Sequence, residues 1–144
     1  MIQNQTLIIA VDFDGTIVDD AYPSIGKPKM FAIQTLKEMQ KDGHRLILWT
    51  YRHGKRLEEA VDFMKKQGIE FYAVNRSYPE EPAHDETVSR KIHADLFIDD
   101  RNFGGFPGWG EIYHNLFPQQ ADTAMLEQKG DKPGGSIFSR IFGR

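Results

Sequence analysis

Two aspartates, Asp12 and Asp14, flank Phe13 in the run AVDFDGT, and a second acidic pair, Asp99 and Asp100, closes the run LFIDD. Residues two apart on an extended backbone point to the same side, so Asp12 and Asp14 project together while Phe13 turns inward. Carboxylates held so close repel one another, by roughly 4 kcal/mol for a pair ~4 Å apart at an effective dielectric near 20. A hard divalent cation is the simplest neutraliser. Mg²⁺ suits such a place, because it takes one or two carboxylates together with waters and phosphate oxygens rather than a closed protein cage. The expected ligands are Asp12, Asp14 and Asp99, with Asp100 in support. Gly15 permits a sharp exit from the strand, and the Thr16 hydroxyl can cap or orient the turn.

These residues need elements to bring them together. Leu7 to Val11 is a continuous aliphatic run, the pattern of a strand covered on both faces. A second run, Arg45 to Trp49, ends at Thr50, and Phe31 to Met39 between them supplies a crossover helix that stops at Gly43. A further helix is expected from about Lys55 to Gln67, then strands over Ile69–Val74 and Ala94–Ile98. Strand and helix alternate as in a Rossmann-like, doubly wound α/β fold with a parallel sheet, where ligands bind at the carboxyl ends of strands. Asp12, Thr50 and Asp99-Asp100 all fall at such ends.

Composition narrows the function classes. A chain of 144 residues, 40% hydrophobic, fits one catalytic core over 1–118, followed by a tail over 119–144 that is flexible or packs on a neighbouring subunit. A net charge of -3 gives no basic excess for collecting nucleic-acid phosphates, so bulk nucleic-acid binding is not expected. The absence of cysteine excludes disulfides and thiolate metal sites. The longest opening apolar run is too short to span a bilayer, so a cytoplasmic protein without a membrane partner is expected.

In order along the chain, DFDGT after an apolar strand, Thr50 at a strand end, Lys91, and IDD at another strand end resemble the four motifs of the haloacid dehalogenase-like hydrolases. The likeness spans about residues 6–103. It implies an Mg²⁺-dependent phosphatase in which Asp12 is the nucleophile that becomes an aspartyl phosphate and Asp14 the general acid and base. It also implies that Thr50 hydrogen-bonds the transferring phosphoryl group, Lys91 ties nucleophile to phosphate, and Asp99 holds Mg²⁺ beside Asp100. Arg90 is the competing cation next to Lys91. Gly15, Arg52 and Asn102 adjoin the motifs and are candidates to bind substrate; Arg52 and Asn102 could equally face water.

Neither the interval after Asp14 nor that between Thr50 and Lys91 is long enough for the cap domain of many such hydrolases. A capless core leaves its site open, so a homo-oligomer is expected, with the loop NFGGFPGW or the segment Ile137–Phe142 closing part of the opening. The substrate expected is a phosphomonoester, a small phosphorylated metabolite above all. The competing class is a non-enzymatic, receiver-like phospho-acceptor or phosphate-binding module. A receiver carries its phosphorylated aspartate at the end of the third strand, where this chain has Val74 and Asn75.

Overall fold

The computed structural model describes residues 5–120. The expectations for residues 121–144, the Ile137–Phe142 segment among them, lie outside the described residues. Four strands, β1 (Ile8–Val11), β2 (Arg45–Leu48), β3 (Ala73–Val74) and β4 (Leu96–Ile98), form an all-parallel sheet in the order β3-β2-β1-β4. Helix α1 (Ala32–Lys41) joins β1 to β2, and α2 (Gly54–Lys66) joins β2 to β3. This is the Rossmann-like doubly wound α/β fold expected from the alternation of runs. The chain steps outward from β1 to β3 and then returns to the other side of β1 as β4. The order reverses between β1 and β4, and open α/β sheets place their ligands at that switch point.

Both faces of the sheet are covered. Ala10, Ile47, Ala73 and Ile92 form a buried cluster on one face, with Ile8, Trp49, Tyr72 and Ala94 packed against it. Ile9, Val11, Leu46 and Leu48, on alternate positions, are buried on the other. That is why the strands read as unbroken aliphatic runs. The helices bury one stripe each: Ala32, Thr35, Leu36 and Met39 from α1, and Ala60 and Met64 from α2.

The register aligns the strand ends. Val11 pairs with Leu48 and with Ile98, and Leu48 pairs with Val74, so all four strands share one terminal rung. The third strand is shorter than its apolar run, Ile69 to Val74, suggests. The Glu70 N–H donates to the Gln40 side-chain Oε1 at 2.7 Å instead of to a strand carbonyl, and laddering begins only near Tyr72.

The chain divides into two compact units between Phe106 and Pro107. In the second, helix α3 (Trp109–Leu116), which was not expected, begins at the last residue of the expected loop NFGGFPGW, with Gly108 before its first turn and the Tyr113 and Phe117 rings 5.2 Å apart. No helix among the described residues is long and apolar enough to cross a membrane.

Candidate active site

Asp12 follows β1 directly, and its backbone N–H donates to the Ile98 carbonyl at 3.0 Å, continuing the pairing of β1 with β4 for one more residue. Asp99 and Asp100 follow Ile98. Adjacency of the two strands therefore brings residues from both ends of the sequence to one place: carboxylate oxygens of Asp12, Asp99 and Asp100 lie within 4.8 Å of one another. Burial pushes the Asp12 carboxyl up to about 7, and the Asp99 charge and the Asp100 hydrogen bond push the same way against the Thr16 hydroxyl and the Phe13 backbone.

The turn after Asp12 explains its composition. The Phe13 carbonyl accepts N–H groups from Thr16, Ile17 and Val18, and the Phe13 ring is buried edge-on against Phe63. Thr16 is fully buried beneath the acids. Its Oγ1 accepts the Asp100 N–H at 2.9 Å and lies 2.8 Å from Asp12 Oδ2 and 3.1 Å from Asp100 Oδ1. A hydroxyl has one proton, so it serves one carboxylate at a time.

Gly15 has φ 83°, and a Cβ there would lie 2.5 Å from Asp100 Oδ2. Both the backbone conformation and the approach of Asp100 require glycine. The Gly15 N–H donates to the Val18 carbonyl at 2.8 Å, so this group is committed within the turn rather than offered to a substrate, contrary to the expectation from sequence.

Asp14 departs from the expected ligand set. Its side chain does not join the three-carboxylate group; both oxygens are taken by Arg52, through Nε to Oδ2 and Nη2 to Oδ1 at 2.7 Å each. Arg52 was expected to bind substrate. It is instead 1% exposed, with its other donors on the carbonyls of Pro23, Ser24 and Arg56 and its guanidinium over the rings of Phe13 and Tyr22. The bond to Asp14 holds this guanidinium still more firmly protonated. With all five N–H groups engaged, Arg52 orients Asp14 and ties down the loop after the first turn.

Thr50 is half-buried at the end of β2. Its N–H donates to Asn75 Oδ1 at 2.8 Å, and its Oγ1 accepts the Arg52 N–H at 3.1 Å, which leaves the hydroxyl proton to point elsewhere. Asn102 Nδ2 donates to the Asp99 carbonyl at 2.8 Å, so Asn102 braces the acidic loop from outside. Lys91 is exposed and, among the described residues, makes no ion pair with the acids. Asn75 was read in the sequence only as standing where a receiver has its aspartate, and its bracing role was missed. It sits at φ 52° after β3, where an asparagine tolerates the left-handed region, and its side chain stitches β3 to the loop after β2. The signal was an asparagine at a strand end, the type most often found in that conformation.

No protein-family model matches the chain, and no curated protein does. Among solved structures it is similar to a conserved protein from Bacteroides thetaiotaomicron, at 53% sequence identity and a TM-score of 0.73, over 80% of this chain and 93% of that one. The chain belongs to that protein's family.

Proposed function

We propose that this protein is a divalent-cation-dependent phosphatase of phosphomonoesters. The observation that carries the reading is the meeting of Asp12, Asp99 and Asp100 at the switch point, where burial, with the two neighbouring acids, pushes the Asp12 carboxyl up to about 7. Three hard oxygen donors in mutual repulsion fit Mg²⁺. When bound by Asp12, Asp99 and Asp100, the cation would offset their charge and polarise the phosphoryl oxygens.

The chain's own groups would do the rest. An oxygen of ionised Asp12 attacks phosphorus; the new O–P bond forms as the ester P–O bond breaks. Asp14 gives the leaving oxygen its proton, then takes one from the water that cleaves the aspartyl phosphate. To hold that proton, Asp14 must release one of its two hydrogen bonds to Arg52. The Thr50 hydroxyl, its oxygen already accepting from Arg52, donates to the transferring group. Lys91 is the proposed cation for the phosphate; Arg52 is fully engaged.

The test is release of phosphate from p-nitrophenyl phosphate with and without Mg²⁺. Turnover that needs the cation and falls at least about a thousandfold in Asp12→Asn supports the reading. Stable phosphorylation of Asp12 without turnover would favour the phospho-acceptor module, and turnover that survives Asp12→Asn would overturn both.

A further inference from the structure

Residues 75–95 connect β3 to β4 without a helix or strand. Connections of this length in a compact unit are uncommon and usually functional. This one walls a cavity of about 820 Å³, within the range that holds metabolite-sized ligands. Its floor is apolar, formed by Leu57 of α2, Val74 of β3 and Ile92. Asn75 lines it and accepts the Thr50 N–H, so the cavity adjoins the rim of strand ends on which Thr50 and the acids stand, although none of the acids lines it. Val74 and Val11 stand two strands apart on the shared rung, about 10 Å by strand spacing.

The wall is held by specific bonds. Glu81, 9% exposed, accepts the Ser77 N–H at 2.6 Å; the Ser77 hydroxyl accepts the His93 N–H at 3.0 Å; Arg76 Nη1 reaches the carbonyls of Pro79 and Glu81 at 3.4 Å each. Arg90 lines the cavity and, among the described residues, has no ion-pair partner, whereas Lys91 does not line it. The charges are mixed: Arg76 and Arg90 line the cavity together with Glu81, Asp85 and Glu86. A ligand with a second anionic group would meet three carboxylates against two guanidiniums, a net negative lining. A hydroxyl group suits both kinds of neighbour, since it donates to carboxylates and accepts from guanidinium.

We propose that this cavity receives the leaving group of the substrate, and that the group is uncharged and rich in hydroxyls, as in a phosphorylated sugar or sugar alcohol. The inference rests on the phosphatase reading for the chemistry and on the cavity for the selectivity. Three esters separate the two: p-nitrophenyl phosphate, glucose 6-phosphate and fructose 1,6-bisphosphate, assayed with the full chain and with Arg90→Ala and Glu81→Gln. Arg90 is exposed, and glutamine keeps an acceptor for Ser77, so both variants retain the fold.

The full chain is expected to favour glucose 6-phosphate over the bisphosphate in kcat/KM. Each variant is expected to raise the ratio of the glucose 6-phosphate KM to the aryl ester KM about tenfold. An unchanged ratio in both variants, or preference for the bisphosphate, overturns the proposal while leaving the phosphatase intact. Without hydrolysis of any ester the phosphatase reading falls, and calorimetry with glucose 6-phosphate then decides the cavity: binding weakened by Arg90→Ala upholds it as a sugar-phosphate site, and no binding overturns it as well.

Discussion

Arg52 grips Asp14 with two 2.7 Å hydrogen bonds from a position that is 1% exposed, while the Asp14 side chain is 16% exposed. The neighbouring Asp12 faces other carboxylates instead. Removing Asp14 therefore strands a buried guanidinium, which costs about 3 kcal/mol or more. Asp14→Ala is expected to lower the Tm by roughly 10 °C in addition to its effect on rate. Arg52→Lys should be destabilised as well, because an ammonium cannot span both Asp14 oxygens. Thermal unfolding of the three proteins in chelator measures this; an Asp14→Ala variant as stable as the parent would refute it.

The opposite outcome is expected at Asp12. Its folded carboxyl titrates at about 7 against an ordinary 3.8, so between these values the folded state holds a proton that the unfolded state has lost. The stability this group contributes is complete below about pH 4 and disappears as pH rises through 7. In chelator, Asp12→Asn should thus flatten the fall of Tm between pH 5 and 8 and leave the protein more stable than the parent at pH 8. A parallel pair of curves would count against the coupling.

The same proton governs the cation. Binding at Asp12 requires the ionised carboxylate, so Mg²⁺ or Mn²⁺ affinity should climb about tenfold per pH unit below 7 and level off above it, with about one proton released per ion at pH 6. Calorimetry in two buffers of different ionisation enthalpy counts the proton.

Gly15→Ala tests the turn. The new methyl would collide with Asp100 Oδ2 and force a strained φ of 83° on alanine, costing on the order of 1–3 kcal/mol. Displacement of Asp100 should also weaken cation binding by about tenfold. A variant with both stability and affinity of the parent would show that Asp100 has no part in the centre.

Much of this arrangement could be read from residue order alone. Aliphatic runs ending in acids give both the sheet and its acidic edge, since a strand buried on two faces has little room for polar residues until it emerges. Asp12, Asp99 and Asp100 were legible for that reason. The fate of Asp14 was not. Its spacing from Asp12 fits a shared site equally well, and only the docking of α2's entry loop brings Arg52 into reach. The bracing role of Asn75 and the bonds from Thr16 to Asp100 were obscure for a related reason: both join residues distant in sequence. Helix α3 escaped notice because the glycines and proline before Trp109 resemble a loop that continues.

The shared rung of Ile98, Val11, Leu48 and Val74 has an evolutionary corollary. Lengthening or replacing a connection beyond that line leaves the spacing of the acids untouched, because the backbone ladder sets it upstream. On the phosphatase reading proposed above, exchanging the stretch between Val74 and Leu96 alters what borders the substrate and leaves the acids where the ladder puts them.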